Sequence, residues 1–239
     1  SLQDAYNIGK VSNKGFELEA GWTSKVNDFQ YWVNGNFSFA RNKIIYMDEP
    51  LSQTYPNLNH TGHRVGEQFG YVFDGFFNTS EEIATATLYF GKQPSLGDTK
   101  YKDITGDGVI DQNDQYAIGN PSFPEVTYGF SLGFRFKGFD FSALFQGATN
   151  YDVAVRDVMY QPFAAFGSAI DIIKGRGHAD SPDGNAKANF PKLSVNYSIP
   201  QNYYLSTLNM KDASYLRLKN VELGYTFTKA WLARLRVSS

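Results

Sequence analysis

The chain of 239 residues contains no cysteine, which removes disulfides, thiol catalysis and cysteine metal sites together. It also carries little net charge, -2 at neutral pH with a pI near 5.9. A protein that tracks phosphates normally shows a basic patch or a high pI, so a nucleic-acid partner is not expected. No apolar run approaches the roughly 18 to 20 residues that a spanning helix needs. Low hydropathy leaves a barrel open, because only alternate residues of each strand then meet lipid. There is no initiator Met and no signal peptide, so a processed or cut start is expected. What the chain has in quantity is aromatic residues, 20 Phe and 16 Tyr, and these need a large apolar surface. The length suits one large all-β domain or part of something bigger, and the strands favour the second.

Residues 126–147 organise the reading. Val126, Tyr128, Phe130, Leu132, Phe134 and Phe136 share one face of a strand, and Thr127, Gly129, Ser131, Gly133, Arg135 and Lys137 share the other. After Lys137-Gly138 the alternation resumes, with Phe139, Phe141, Ala143 and Phe145 opposed to Asp140, Ser142 and Gln146; Leu144 is the misfit. Soluble strands average about five or six residues, whereas a bilayer-spanning strand needs roughly nine to eleven. A bulky face toward lipid and a small, polar face toward a wet lumen are the pattern of a transmembrane barrel strand. Asn13 to Thr23 and Phe29 to Phe39 give a second hairpin of the same build around Lys25 to Asp28. Ala213 to Phe227 gives another strand whose apolar phase switches from even to odd positions, so a β-bulge near Lys219-Asn220 is expected. Leu232 to Val237 starts a further strand after a turn at Thr228-Lys229. The fold expected is all-β: a partial antiparallel transmembrane β-barrel, about six strands of a larger one, with two long extracellular excursions. Six strands cannot close such a barrel alone.

The excursions are residues 46–124 and 151–212. Short turns lie on the periplasmic side of such barrels and long loops outside, which places both excursions outside. In the first, Phe69, Tyr71, Phe73, Phe76 and Phe77 read as short strands packing on one another, and Thr79-Ser-Glu-Glu82 has capping-box spacing for a helix to about Thr87. In the second, a short helix is expected from Ala164 to Lys174, closed by Gly175.

Asp103 to Asp114 matches a calcium loop in register, with oxygen side chains at the ligand positions and glycine at the sixth. Asp103, Thr105, Asp107 and Asp114 would ligate through side chains, Val109 through its carbonyl, and Asp111 directly or through water. Thr105 is neutral where Asp or Asn is usual, and Asp114 is one methylene shorter than the usual Glu. The competing reading is an Asp/Gly-rich turn satisfied by its own hydrogen bonds. Calcium is favoured, as a structural clamp, because clustered carboxylates repel unless a cation sits among them. Gly129-Phe-Ser131-Leu-Gly133 matches a nucleophile elbow, but that motif demands a strand-to-helix turn and here it lies inside a strand. His60 and His63 read as loop histidines, and His178 stands in a Gly-rich loop. The aromatics Tyr160, Phe163, Phe166, Tyr197, Tyr203 and Tyr204 read as small loop cores, with sugar stacking as the alternative. No acid/base pair or nucleophile emerges, so an enzyme is not expected.

Several segments in order resemble the SusC/RagA-type TonB-linked outer membrane proteins, in their C-terminal barrel portion: Asn13-Lys-Gly-Phe-Glu17, Gly70-Tyr-Val-Phe-Asp-Gly75, Tyr101-Lys-Asp103 with Gly106-Asp-Gly108, Gly119-Asn-Pro121, Gly138-Phe-Asp-Phe141 and Tyr215-Leu-Arg-Leu-Lys-Asn-Val-Glu-Leu-Gly-Tyr225. The resemblance implies a plugged barrel of 22 strands in the outer membrane of a Gram-negative bacterium, importing glycans or peptides. It implies power from TonB through a part absent from this chain, and a SusD-like lipoprotein lid. The plug, the TonB-contacting segment and an aromatic last residue are missing, so the chain is expected to be a fragment. The alternative is a soluble, calcium-stabilised β-sandwich that binds carbohydrate, its apolar faces packed sheet on sheet.

Overall fold

The computed structural model describes residues 8–52, 54–86, 88–156, 160–163, 167–178, 187–193 and 200–227. The strands are β1 (Gly9–Val26), β2 (Phe29–Met47), β3 (Gln68–Gly70), β4 (Phe73–Phe76), β5 (Thr99–Tyr101), β6 (Tyr116–Gly119), β7 (Val126–Phe136), β8 (Phe139–Thr149), β9 (Asp152–Ala154), β10 (Met210–Asp212) and β11 (Tyr215–Tyr225). One α-helix is described, α1 (Ser80–Thr85). The chain divides into two compact units, one of residues up to 12, 43–122 and 152–212, the other of 13–42, 123–151 and residues from 213 on.

The second unit holds the five-stranded sheet, in the order β1-β2-β7-β8-β11. Both short turns are two residues long, with positive φ at Asn27 (54°), Lys137 (48°) and Gly138 (88°). Such turns match the right-handed twist of the strands they join and fix their register. The register assembles continuous cross-strand rows. Phe29, Phe136, Phe139 and Tyr225 form one; Tyr31, Phe134, Phe141 and Leu223 the next; then Val33, Leu132, Ala143 and Val221. Gly35, Phe130, Phe145 and Leu218 follow. Rings stack along the rows, Phe130 on Phe145 at 4.6 Å and Phe134 on Phe141 at 5.6 Å, and Phe16 of β1 stacks on Phe37 at 5.7 Å.

The ten steps from Phe29 to Phe39, at about 3.4 Å each, cover roughly 34 Å of strand. A tilt of about 45° reduces that to about 24 Å, close to the apolar band of an outer-membrane barrel. This face is uncovered: Leu223 is 76% exposed, Trp22 66% and Leu18 62%. A sheet-on-sheet sandwich would bury these side chains, so the soluble alternative is corrected on this point. The structure is a partial antiparallel barrel wall, with almost no helix. The bulge is where the phase switch placed it, since pairing with β8 skips Lys219 between Leu218 and Asn220. β1 and β2 run well past the expected Asn13 to Thr23 and Phe29 to Phe39. The expected strand at 232–237 and the turn at 228–229 lie outside the described residues.

The first unit is built from three two-stranded pairs, β3 with β6, β4 with β5, and β9 with β10. Tyr71, Phe77, Tyr89, Tyr101 and Ile110 form its buried core, so the expected packing of short aromatic strands is observed in part. α1 has the expected capping box: Thr79 Oγ1 accepts from Glu82 N at 3.1 Å, and the Glu82 carboxylate accepts from Thr79 N at 3.3 Å. The helix expected from Ala164 to Lys174 is corrected. Its described part is a 3-10 turn, Asp171–Gly175, because Gly167, Ser168 and the β-branched pair Ile172-Ile173 disfavour α-helix; residues 164–166 lie outside the described residues.

Candidate functional site

The face of the sheet opposite the aromatic rows is polar. Its rows read Gln30, Arg135, Asp140, Gly224; then Trp32, Gly133, Ser142, Glu222; then Asn34, Ser131, Leu144, Asn220; then Asn36, Gly129, Gln146, Arg217. Because alternate residues point to opposite faces, the same register that makes the apolar face makes this one. A concavity of about 630 Å³ lies on it, lined among others by Glu17, Glu19, Asn34, Asn36, Ser131 and Lys219. The bulge brings Lys219 onto this wall, which is how bulges re-aim side chains.

Ser38 Oγ donates to Glu17 Oε1 at 3.4 Å, Arg217 to Gln146 Oε1 at 3.1 Å, and Asn220 Nδ2 to Glu222 Oε1 at 2.6 Å. Arg135 lies over the Trp32 ring at 5.9 Å, and that ring occupies the space a side chain at Gly133 would need. Amides, hydroxyls and charges of both signs give a wall that wets easily and exchanges hydrogen bonds with a polar solute. Ser131 sits in the middle of β7, in a row with Asn34 and Leu144, and the strand-to-helix turn of a nucleophile elbow is absent there. At the far end of β2, Arg41 makes a two-pronged pair with Glu125, both bonds 2.8 Å, with the Glu125 side chain 2% exposed. The two residues are 84 positions apart, and no sequence signal links them.

The acidic loop in the first unit closes on itself. Asp114 is fully buried; its Oδ1 accepts from Ile104 N at 2.9 Å and Thr105 N at 3.2 Å, and its Oδ2 accepts from Asp111 N at 2.9 Å. Asp103 accepts from Gly106 N at 2.6 Å and Gly108 N at 2.8 Å, Asp107 from Val109 N at 2.8 Å, and Asp111 from Asn113 N at 2.7 Å. Burial raises the Asp103 carboxyl, but the Gly108 and Gly106 amides and the Thr105 hydroxyl together outweigh it and hold the group below its usual value. Among the described residues no three acidic or histidine side chains gather as a metal requires. Asp103, Thr105, Asp107, Val109, Asp111 and Asp114 lie on one loop, in which the Thr105 hydroxyl reaches both Asp103 Oδ1 and Asp114 Oδ1 at 3.2 Å. Backbone N–H groups supply positive ends to these carboxylates.

His60 and His63 both pack on Phe69, with ring centroids 4.2 and 5.1 Å away, and His63 Nδ1 lies 3.3 Å from Glu67 Oε2. Tyr160 packs on Phe190 at 5.2 Å, and Tyr204 stacks on Tyr71 at 5.7 Å. These are loop cores, as expected. Phe163 is 41% exposed, and Phe166 and Tyr197 lie outside the described residues.

No protein-family model matches the chain. Curated relatives do. TonB-dependent receptor P3 of Formosa agariphila is 27% identical over 95% of this chain and 23% of the relative. TonB-dependent receptor P26 of the same organism is 28% identical over 92% of this chain and 22% of the relative. TonB-dependent receptor SusC of Bacteroides thetaiotaomicron is 22% identical over 97% and 22%. The chain thus spans about a quarter of the length of the relatives it matches. Among solved structures, the RagAB peptide importer in its open-open state has a TM-score of 0.65 at 19% identity, covering 94% of this chain and 23% of that one. The resemblance to SusC/RagA-type TonB-linked outer membrane proteins holds along nearly the whole chain. These relatives are named as receptors, not as enzymes.

Proposed function

We propose that this chain is part of the barrel wall of an outer-membrane TonB-dependent transporter in a Gram-negative bacterium, importing glycans or peptides together with a SusD-like lipoprotein. The observation that carries this reading is the pair of faces on one sheet: uncovered aromatic rows about one bilayer core in height, backed by a wettable, mixed-charge wall. The similarity to SusC and to a chain of the RagAB importer supports it. In this reading the aromatic rows contact outer-membrane lipid, the polar face borders the lumen, and both excursions lie outside. TonB acts through a part of the protein beyond this chain. Phe130 lies near the middle row, so Phe130→Arg in the intact protein should hinder insertion by about 2 to 4 kcal/mol. The heat-resistant, folded band in outer-membrane fractions reads this, and equal assembly of wild type and variant would overturn the reading.

We further propose calcium as an added ligand of the loop at 103–114. Its support is the register of the oxygens; the loop closes on its own bonds, so an ion would reinforce a turn already formed. Calorimetry at millimolar calcium should show binding that Asp107→Ala weakens, and an absence of heat with the wild type removes calcium from the reading.

A further inference from the structure

The first unit contains an asymmetry that its sequence does not announce. Its apolar core of Tyr71, Phe77, Tyr89, Tyr101 and Ile110 comes from the first excursion alone. The second excursion is fastened to it chiefly by polar contacts. Tyr71 N donates to Leu205 O at 2.8 Å and Thr207 N to Tyr71 O at 3.0 Å, which makes a parallel bridge between Tyr71 and Ser206. Asn202, 1% exposed, accepts from Thr99 N at 2.8 Å and donates to Asp98 Oδ1 at 2.9 Å. Tyr101 OH donates to Gln201 O at 2.6 Å.

One charged pair completes this seam. Lys192 Nζ lies 3.2 Å from Asp98 Oδ1, with side chains 12% and 6% exposed, and it also donates to Ser95 Oγ. Its backbone N–H bonds Gly97 O at 2.8 Å. Tyr204 makes apolar contacts across the seam, stacking on Tyr71 of the core at 5.7 Å and meeting the edge of Phe90 at 4.9 Å. Phe90 is held at φ 50°, a left-handed conformation that a bulky residue adopts only when its surroundings impose it.

We propose that residues 200–209 are a detachable strap across the first excursion, and that Lys192, through Asp98, is the key that holds it in place. A buried pair is costly to break because the remaining partner is left charged and poorly solvated. The core beneath has its own apolar contacts and stays closed when the strap lifts. Residues 200–209 can therefore leave the first excursion without unfolding it. This inference rests on the seam and not on the transport reading.

Hydrogen exchange on the intact protein tests it. Lys192→Met keeps the apolar stem and removes the charge; exchange across 200–209 should accelerate by on the order of a hundredfold, with the amides of Phe77, Tyr89 and Ile110 unchanged. Lys192→Arg should keep protection near wild type. Lys192→Gln, which likewise removes the charge, provides the same readout should Lys192→Met fail to assemble. Unchanged protection at 200–209 in both charge-removing variants overturns the proposal. So does equal loss at 200–209 and in the core, since the two excursions would then be one indivisible body.

Discussion

At the scale of single residues, Asp114 organises the acidic loop by serving amides from both of its halves. Removing its carboxylate leaves buried donors unpaired, so Asp114→Ala should lower local stability by about 2 to 3 kcal/mol. Asp107→Ala, losing one exposed bond to Val109 N, should cost well under about 1 kcal/mol. Protease cleavage within 103–114 distinguishes them, and equal susceptibility would show that Asp114 does not close the loop. Asp103 adds a pH dependence. Its folded carboxyl titrates below the ordinary value of about 3.9. The stability it contributes is therefore complete above that value and is lost as pH falls through the folded pKa. Exchange at Gly106 and Gly108 should quicken below about pH 4, and Asp103→Asn should abolish that pH step. The sequence supplied the right oxygens in the right order; it did not supply their directions, which depend on which backbone N–H groups turn toward them.

At the scale of elements, period-two alternation is a strong signal because a one-residue slip exchanges the two faces. That is why the faces of β7 and β8, and the bulge in β11, were legible in the sequence. Deleting Lys219 should therefore throw either Leu216 and Leu218 or Val221, Leu223 and Tyr225 onto the polar face. The deletion variant should fail to assemble in the outer membrane, whereas Lys219→Ala, which keeps the bulge, should assemble normally. Normal assembly of the deletion would show that the register is not set there. Gly133→Val probes the opposite face, where the Trp32 ring fills the space of the missing side chain and Phe141 O lies only 2.6 Å from where a Cβ would stand. It should reduce assembly while Ser131→Val, in the same strand, has little effect. Over its described residues the helix expected in the second excursion gives way to a 3-10 turn, since a short run of weak helix formers depends on tertiary packing to persist.

At the scale of the whole molecule, strand parity links all the short turns to one side of the membrane once one is placed. Cysteine introduced at Asp28, in the first short turn, and at Gln112, in the acidic loop, should differ in labelling by an impermeant reagent on intact cells. Gln112→Cys should label and Asp28→Cys should not; the reverse pattern overturns the proposed topology. Asp28 is preferred to Asn27 because Asn27 has φ of 54°, where cysteine would strain the turn.

The sequence by itself determined which residues share a face, where the chain turns tightly, where the phase of β11 breaks and where α1 begins. These are local matters, fixed by alternation, by two-residue turns and by a cap three residues from its partner. Only the tertiary structure decided that the acidic loop closes on its own amides. The pairing of Arg41 with Glu125, and the fastening of the second excursion to the first through Lys192, Asp98 and Asn202, were likewise decided there. Each of those contacts depends on atoms brought together by the path of the backbone, and spacing along the chain carries no record of them.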